Sequence, residues 1–283
     1  MAELLYGAPA AKALKEQMKA KIAELSERGI VPCIAVLRAG NDESQLSYER
    51  GLGKTFGALG MRLESIQLPE DVSREALCAA IDEINRDKQI HGCLILRPLP
   101  GGLETQALLD RLSPEKDVDG ITSASLAKLL TGQGPGYAPC TAAACLRLLD
   151  YYQVPLHGSR AVVIGRSLVV GKPLSLLLTG RDATVTLCHS RTQKLPEICR
   201  EAELLICAVG HAGLVDENYV NPSQTIIDVG INVGEDGKLC GDVDFASVEP
   251  LIAALSPVPG GLGGVTSAVL AEHVVRAAVE QNK

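Results

Sequence analysis

Val162-Val163-Ile164-Gly165-Arg166-Ser167-Leu168-Val169-Val170-Gly171-Lys172-Pro173 is the stretch from which the fold can be read. A run of β-branched residues reads as a buried strand, and Gly165 ends it. Pro173 marks the start of the apolar helical pattern that follows. A strand, a glycine turn and a helix in this order aim free backbone N–H groups and the helix dipole at a phosphate. The spacing is G-x-S-x-x-x-G rather than G-x-G-x-x-G, so the turn needs support from its neighbours.

The next strand, ATVTLC (183–188), supplies some of it. It ends Cys188-His189-Ser190-Arg191-Thr192, without the carboxylate that an NAD site places there to bond the ribose hydroxyls. Arg166 and Ser190 suit a ribose 2′-phosphate instead, which favours NADP. Further strands are expected at 160–165, 203–210 and 225–230, with short helices between them.

The same alternation occupies the first half of the chain. Leu14, Met18, Ile22 and Leu25 mark one face of a helix that stops at Gly29. An apolar run over 34–37 follows, then a helical stretch within 40–60. A strand at 61–68, a helix near 73–88 with Leu77, Ile81 and Ile84, and a strand at 92–96 complete it. Strands alternating with helices imply parallel sheets covered on both faces. Segment 131–140, with three glycines and two prolines, is the expected domain boundary. A helix is expected at 141–153, and the last helix carries Val269, Leu270, Val274 and Ala277 on one face. The fold class is therefore α/β, with two doubly wound domains. The boundary segment separates the first from a Rossmann-type second.

Composition narrows the function. The 283 residues are 46% hydrophobic and 22% charged, which excludes disorder and coiled coil. Aromatics are only 3% and the net charge is −7, so neither a stacking platform nor a basic patch exists for nucleic acid. Nine cysteines, none spaced C-x-x-C, read as reduced thiols of a cytoplasmic protein. No histidine lies at ligand spacing from another His or Cys, so no metal site is expected. No apolar stretch is long enough for a membrane span.

Two loops add chemistry. Ser256-Pro257-Val258-Pro259-Gly260-Gly261-Leu262-Gly263-Gly264 is stiffened by proline and open to a ligand at its glycines. Pro114-Glu115-Lys116-Asp117-Val118-Asp119-Gly120 places Asp119 in a turn. With P-C-T (139–141), V-I-G-R-S-x-x-V-G-K-P, H-S-R-T, D-V-G-I-N and G-D-V, these motifs resemble the methylenetetrahydrofolate dehydrogenase/cyclohydrolase family along nearly the whole chain. Ala142 departs from it where the family usually has proline.

The resemblance implies a homodimer and a cleft between two domains: residues 1–138 with the returning final helix 266–283 as a folate-binding catalytic domain, and residues 139–265 as a Rossmann-type NADP-binding domain. It implies that Gly165, Arg166, Ser167, Ser190, Gly210 and Ile231 line the cofactor. Tyr48, Asp119, Pro259 and Gly260 would meet a tetrahydrofolate substrate, with Tyr48, Lys54 and Asp119 as the catalytic set. The implied reaction is NADP-dependent oxidation of 5,10-methylenetetrahydrofolate to the 5,10-methenyl form, in one-carbon metabolism.

Family members that also hydrolyse the product carry Y-x-x-x-K, supported by glutamine in V-Q-L-P-L-P. Here Leu52 stands four after Tyr48, and Leu96 stands at the glutamine position. Lys54, six after Tyr48, falls about 120° from Tyr48 around a helix. The expectation is therefore a dehydrogenase whose cyclohydrolase activity is lost or weak. The alternative is a bifunctional enzyme yielding 10-formyltetrahydrofolate, with Lys54 or Arg97 reaching in from another angle.

Overall fold

The computed structural model describes residues 1–234 and 237–283. The chain begins β1 (Glu3–Leu4), α1 (Gly7–Glu27), β2 (Cys33–Ala39), α2 (Glu43–Ala58), β3 (Arg62–Leu68), α3 (Arg74–Arg86) and β4 (Gly92–Ile95). Two helices follow, α4 (Gln106–Leu109) and α5 (Ser123–Thr131). The second half runs α6 (Cys140–Tyr151), β5 (Arg160–Ile164), α7 (Gly171–Thr179), β6 (Thr184–Cys188), α8 (Leu195–Arg200), β7 (Leu204–Cys207) and β8 (Thr225–Asp228). It ends with β9 (Asn232–Val233), β10 (Leu239–Cys240), α9 (Phe245–Val248), β11 (Ala254–Leu255) and α10 (Gly263–Gln281).

These elements form two compact units, one of residues 13–140 and 267–283, the other of residues 1–12 and 141–266. The first holds a three-stranded parallel sheet in the order β3-β2-β4. Every residue of the central β2 is buried, which is why it reads as a continuous apolar run. Its exception in character, Arg38, is neutralised by Glu49 at 2.9 Å and also bonds Gln67 and the Gly40 carbonyl. In α3 the stripe Leu77, Ala80, Ile81 and Ile84 is buried, and Ser73 caps the helix by accepting from the Ala76 amide. Asp42 caps α2 in the same way through the Gln45 amide.

The second unit holds a six-stranded parallel sheet in the order β1-β11-β8-β7-β5-β6. The chain leaves β5 for β6 on one side and returns to β7 on the other, so strand order reverses beside β5. The crevice at such a reversal, outside the strands' carboxyl ends, is where α/β sheets bind ligands. The expected division placed residues 1–12 with the first domain. They fall instead in this unit, where Glu3 and Leu4 pair with Ala254 and Leu255 and extend the sheet's edge.

All nine cysteines are unpaired thiols. Among the described residues no group of His, Cys, Asp or Glu is arranged to hold a metal ion, and no helix is long and apolar enough to cross a membrane.

Candidate active site

At the carboxyl ends of β5 and β7 the backbone leaves no room for side chains. Gly165 has φ +116°, and a Cβ there would lie 2.1 Å from the Ala208 carbonyl oxygen. A Cβ on Gly171 would lie 1.8 Å from the Gly165 carbonyl oxygen. Both positions therefore require glycine. The turn between them is folded by Ser167, whose Oγ accepts from the Val170 amide at 3.1 Å. No side chain caps α7, but its first turn is largely closed on itself: the Lys172 amide donates to the Ser167 carbonyl at 3.1 Å and Pro173 has no N–H.

Arg166, Ser167 and Ser190 are exposed at this edge. The Gly165 amide donates to the Cys188 carbonyl at 2.9 Å, which places the 189–192 turn beside the glycine turn. Gly210 follows β7 with φ +66°, and Ile231 lies beyond β8, 71% exposed. Thus Gly165, Arg166, Ser167, Ser190, Gly210 and Ile231 all stand past the carboxyl ends of neighbouring parallel strands. A cofactor phosphate fits the tight, side-chain-free approach at Gly165 and Gly171, with a guanidinium and hydroxyls at its rim.

Two residues that sequence reasoning gave no role build this edge. The Asp242 carboxylate accepts from the amides of Val209 (2.7 Å), Gly210 (3.1 Å) and His211 (2.9 Å), and from Asn232 Nδ2 (3.0 Å). Asp228 accepts from the amides of Gly230 (2.9 Å), Asp242 (3.0 Å) and Val243 (3.0 Å). A Cβ on Gly230 would strike Asp242, and one on Gly241 would strike Asp228, so the two turns interlock. Burial pushes the Asp228 carboxyl up to about 6, against the pull of those donors. The available signal was an aspartate and a glycine close together in both D-V-G-I-N and G-D-V.

In the same unit, Pro259 and Gly260 are exposed on the proline-glycine loop. The Gly260 carbonyl accepts from the Gly7 amide at 2.9 Å, which ties the loop to the start of α1.

The other unit gathers Tyr48 and Asp119. Asp117 is wholly buried and accepts from the Ile121 amide (3.0 Å), the Thr122 amide (2.8 Å), Thr122 Oγ1 (2.6 Å) and Ser125 Oγ (2.6 Å). These bonds shape the turn that carries Asp119. Gly120, with φ +71°, presses that turn against 137–139, where a Cβ would lie 2.5 Å from the Pro139 nitrogen. Burial pushes the Asp119 carboxyl up to about 6; the nearby Arg97 charge opposes this and Asp117 adds to it. Burial and the Asp119 charge likewise push the Tyr48 hydroxyl above the ordinary phenol range, while a hydrogen bond with Ser267 pulls against them.

Lys54 does not join this group at close quarters. It is exposed on α2, whereas Leu52 is fully buried and Leu96 nearly so. Arg97, after β4, pairs with Glu104 at 3.3 Å. Gln45, one turn before Tyr48, was also missed. Its Nε2 lies 3.5 Å from the Pro98 carbonyl, and its buried Oε1 has no hydrogen-bond partner among the described residues. A surface-type residue in the first turn of a helix gives no warning of such burial.

The parallel sheet, its glycine turn at the strand reversal and the half-buried carboxyl beside a tyrosine define a nucleotide-dependent α/β enzyme of two units. The chain belongs to the tetrahydrofolate dehydrogenase/cyclohydrolase family: models of its NAD(P)-binding domain and its catalytic domain match residues 139–282 and 5–119. A Carboxydothermus hydrogenoformans protein named bifunctional protein FolD is 48% identical over 279 residues, covering 98% of this chain and 97% of that one. The crystal structure of the bifunctional FolD enzyme of Campylobacter jejuni has a TM-score of 0.95 at 35% identity, covering 99% of both chains. That of the Trypanosoma brucei dehydrogenase-cyclohydrolase, complexed with NADP and inhibitor, has a TM-score of 0.93 at 31% identity, covering 100% of this chain and 99% of that one. The expectation of a lost cyclohydrolase finds no support in these relatives: the first is named bifunctional, and the two solved structures are named for both activities.

Proposed function

We propose that this protein oxidises 5,10-methylenetetrahydrofolate with NADP and then hydrolyses the methenyl product to 10-formyltetrahydrofolate. The observation that carries the reading is Tyr48 beside a half-buried Asp119 of raised proton affinity, in a chain with solved relatives named as dehydrogenase and cyclohydrolase. Tyr48 packs the folate, Asp119 bonds its pterin edge, and Pro259 and Gly260 contact the substrate from their loop. Arg166, Ser167 and Ser190 hold the 2′-phosphate, while the backbone at Gly165, Gly210 and Ile231 lines the rest of the cofactor. NADP, when bound, supplies the hydride acceptor. Oxidation needs no proton transfer from the chain, so alignment of the bound substrate is the protein's main contribution.

Hydrolysis needs protons moved near neutral pH. Asp119, near 6, is matched to that task, and Arg97 acts beside it through a fixed charge. Lys54 has no part in this scheme. The test is to supply methylenetetrahydrofolate and NADP, then to follow added methenyltetrahydrofolate separately. Absence of NADPH formation would refute the first step, and decay no faster than the buffer's would refute the second.

A second reading, oxidation alone, is favoured by buried Leu52 and Leu96 at the places of the family's lysine and glutamine. Unpaired thiols support a cytoplasmic location. Exposed Val233 and Leu239 on the β9–β10 hairpin support a homodimer, which light scattering in solution checks.

A further inference from the structure

The peptide that joins Tyr6 to Gly7 is held at both ends. Its N–H, on Gly7, donates to the Gly260 carbonyl at 2.9 Å, and its carbonyl, on Tyr6, accepts from the Tyr152 hydroxyl at 3.0 Å. This peptide is trans, so its two groups point in opposite directions and the hydroxyl and the loop pull against each other across it. Each bond also polarises the other through the amide. The approach of the chains is close. A Cβ on Gly7 would lie 1.8 Å from the Gly261 carbonyl oxygen, and one on Gly260, whose φ is +109°, would rest 3.6 Å from Cδ1 of the Tyr6 ring. Just upstream, the Leu5 amide donates to the Leu255 carbonyl at 2.9 Å, so residues 5–7 flank the loop from its entry to its glycines. Tyr152 directly follows α6, and the Tyr151 ring stands edge-on to its own with centroids 5.1 Å apart.

We propose that Tyr152 is a positioning residue for the proline–glycine loop: its hydroxyl sets the plane of the 6–7 peptide, and that peptide sets the backbone of Gly260 and Gly261. It acts through this peptide rather than by touching substrate. Without the hydroxyl the peptide turns more freely about its flanking dihedrals, and the loop spends less time in the form that receives a ligand. The missing fraction appears as weaker apparent affinity, while the complex, once formed, reacts as before. The effect therefore falls on KM and not on kcat. The cofactor turns are fixed by other bonds, Gly165 to the Cys188 carbonyl and Gly210 to the Asp242 carboxylate, so cofactor binding does not sense the change. The functional consequence rests on the reading of Pro259 and Gly260 as folate contacts.

The test is Tyr152→Phe in the full-length protein, with Tyr151→Phe as the control that loses a neighbouring hydroxyl outside the brace. A single hydrogen bond near the surface is worth a few-fold in equilibrium, so amide exchange at Gly7 should accelerate about three- to fivefold in Tyr152→Phe and not in Tyr151→Phe. The folate KM should rise by a similar factor, kcat should hold, and NADPH affinity measured without folate should stay at the parent value. Gly7→Ala drives a methyl into the Gly261 carbonyl and should raise the folate KM further, by about tenfold or more. Gly7 exchange unchanged in Tyr152→Phe, or accelerated as much by Tyr151→Phe, overturns the proposal. So does an NADPH affinity that falls together with the folate affinity, since the variant would then loosen the whole unit. Faster Gly7 exchange with the folate KM unmoved in both Tyr152→Phe and Gly7→Ala upholds the brace and refutes the folate contact of Pro259 and Gly260.

Discussion

Replacing Asp242 by asparagine tests whether one carboxylate shapes the cofactor edge. Its Oδ2 accepts from Val209 and Gly210, and its Oδ1 from His211 and Asn232. A carboxamide keeps one oxygen and turns an NH2 toward donors, so two of these four bonds are lost. Hydrogen bonds to a charged acceptor contribute about 1.5–3 kcal/mol each, and the surviving pair loses its charge assistance. Partial relaxation reduces the sum, leaving a cost on the order of 3 kcal/mol, about two decades in the equilibrium that keeps the turn closed. Hydrogen exchange at the Val209, Gly210 and His211 amides should accelerate by roughly that factor. Because Gly210 belongs to this turn, the KM for NADP should rise at least about tenfold, while Asp242→Ala, losing all four bonds, should be worse. Unchanged exchange and unchanged KM in Asp242→Asn would refute the assignment.

Arg166→Ala should raise the KM for NADP far more than that for NAD, since charge-assisted bonds to a phosphate are about twice as strong as neutral ones; an equal rise would exclude it from the 2′-phosphate. Asp119→Asn should abolish saturable folate binding yet stabilise the protein. The folded carboxyl, raised to about 6, binds its proton more tightly than the unfolded chain does. Its contribution to stability is therefore present below the ordinary carboxylate range and lost as pH rises toward 6. Discounted for partial exposure, the gain in Asp119→Asn is about 1–2 kcal/mol at pH near 7.5 and vanishes at pH near 3.5. Urea denaturation at the two pH values measures it, and a gain confined to the acid side would contradict the sign.

What the sequence made legible were features with a local cause. The stripe Leu77, Ile81 and Ile84 announces α3 because those residues share one helical face. The run over 161–164 announces β5 because a strand covered on both faces is apolar along its buried length. What it hid was long-range. β1 is two residues long and exists only through its pairing with β11, some 250 residues away. The role of Asp242 depends on amides about 30 residues upstream. Tyr48 and Asp119 could be set side by side only through the family's motif. The phase of α2 was legible from spacing alone, and the structure leaves Lys54 exposed and Leu52 enclosed.

The most direct measurement of the central claim uses a single preparation, assayed in a buffer that hydrolyses methenyltetrahydrofolate slowly. NADPH formation from methylenetetrahydrofolate gives the oxidation rate, and decay of added methenyltetrahydrofolate gives the hydrolysis rate. The bifunctional account predicts both well above the uncatalysed controls, with Asp119→Asn lowering both. NADPH formation at full rate with methenyltetrahydrofolate decaying no faster than in buffer would contradict it, and would assign the chain to oxidation alone through Leu52 and Leu96.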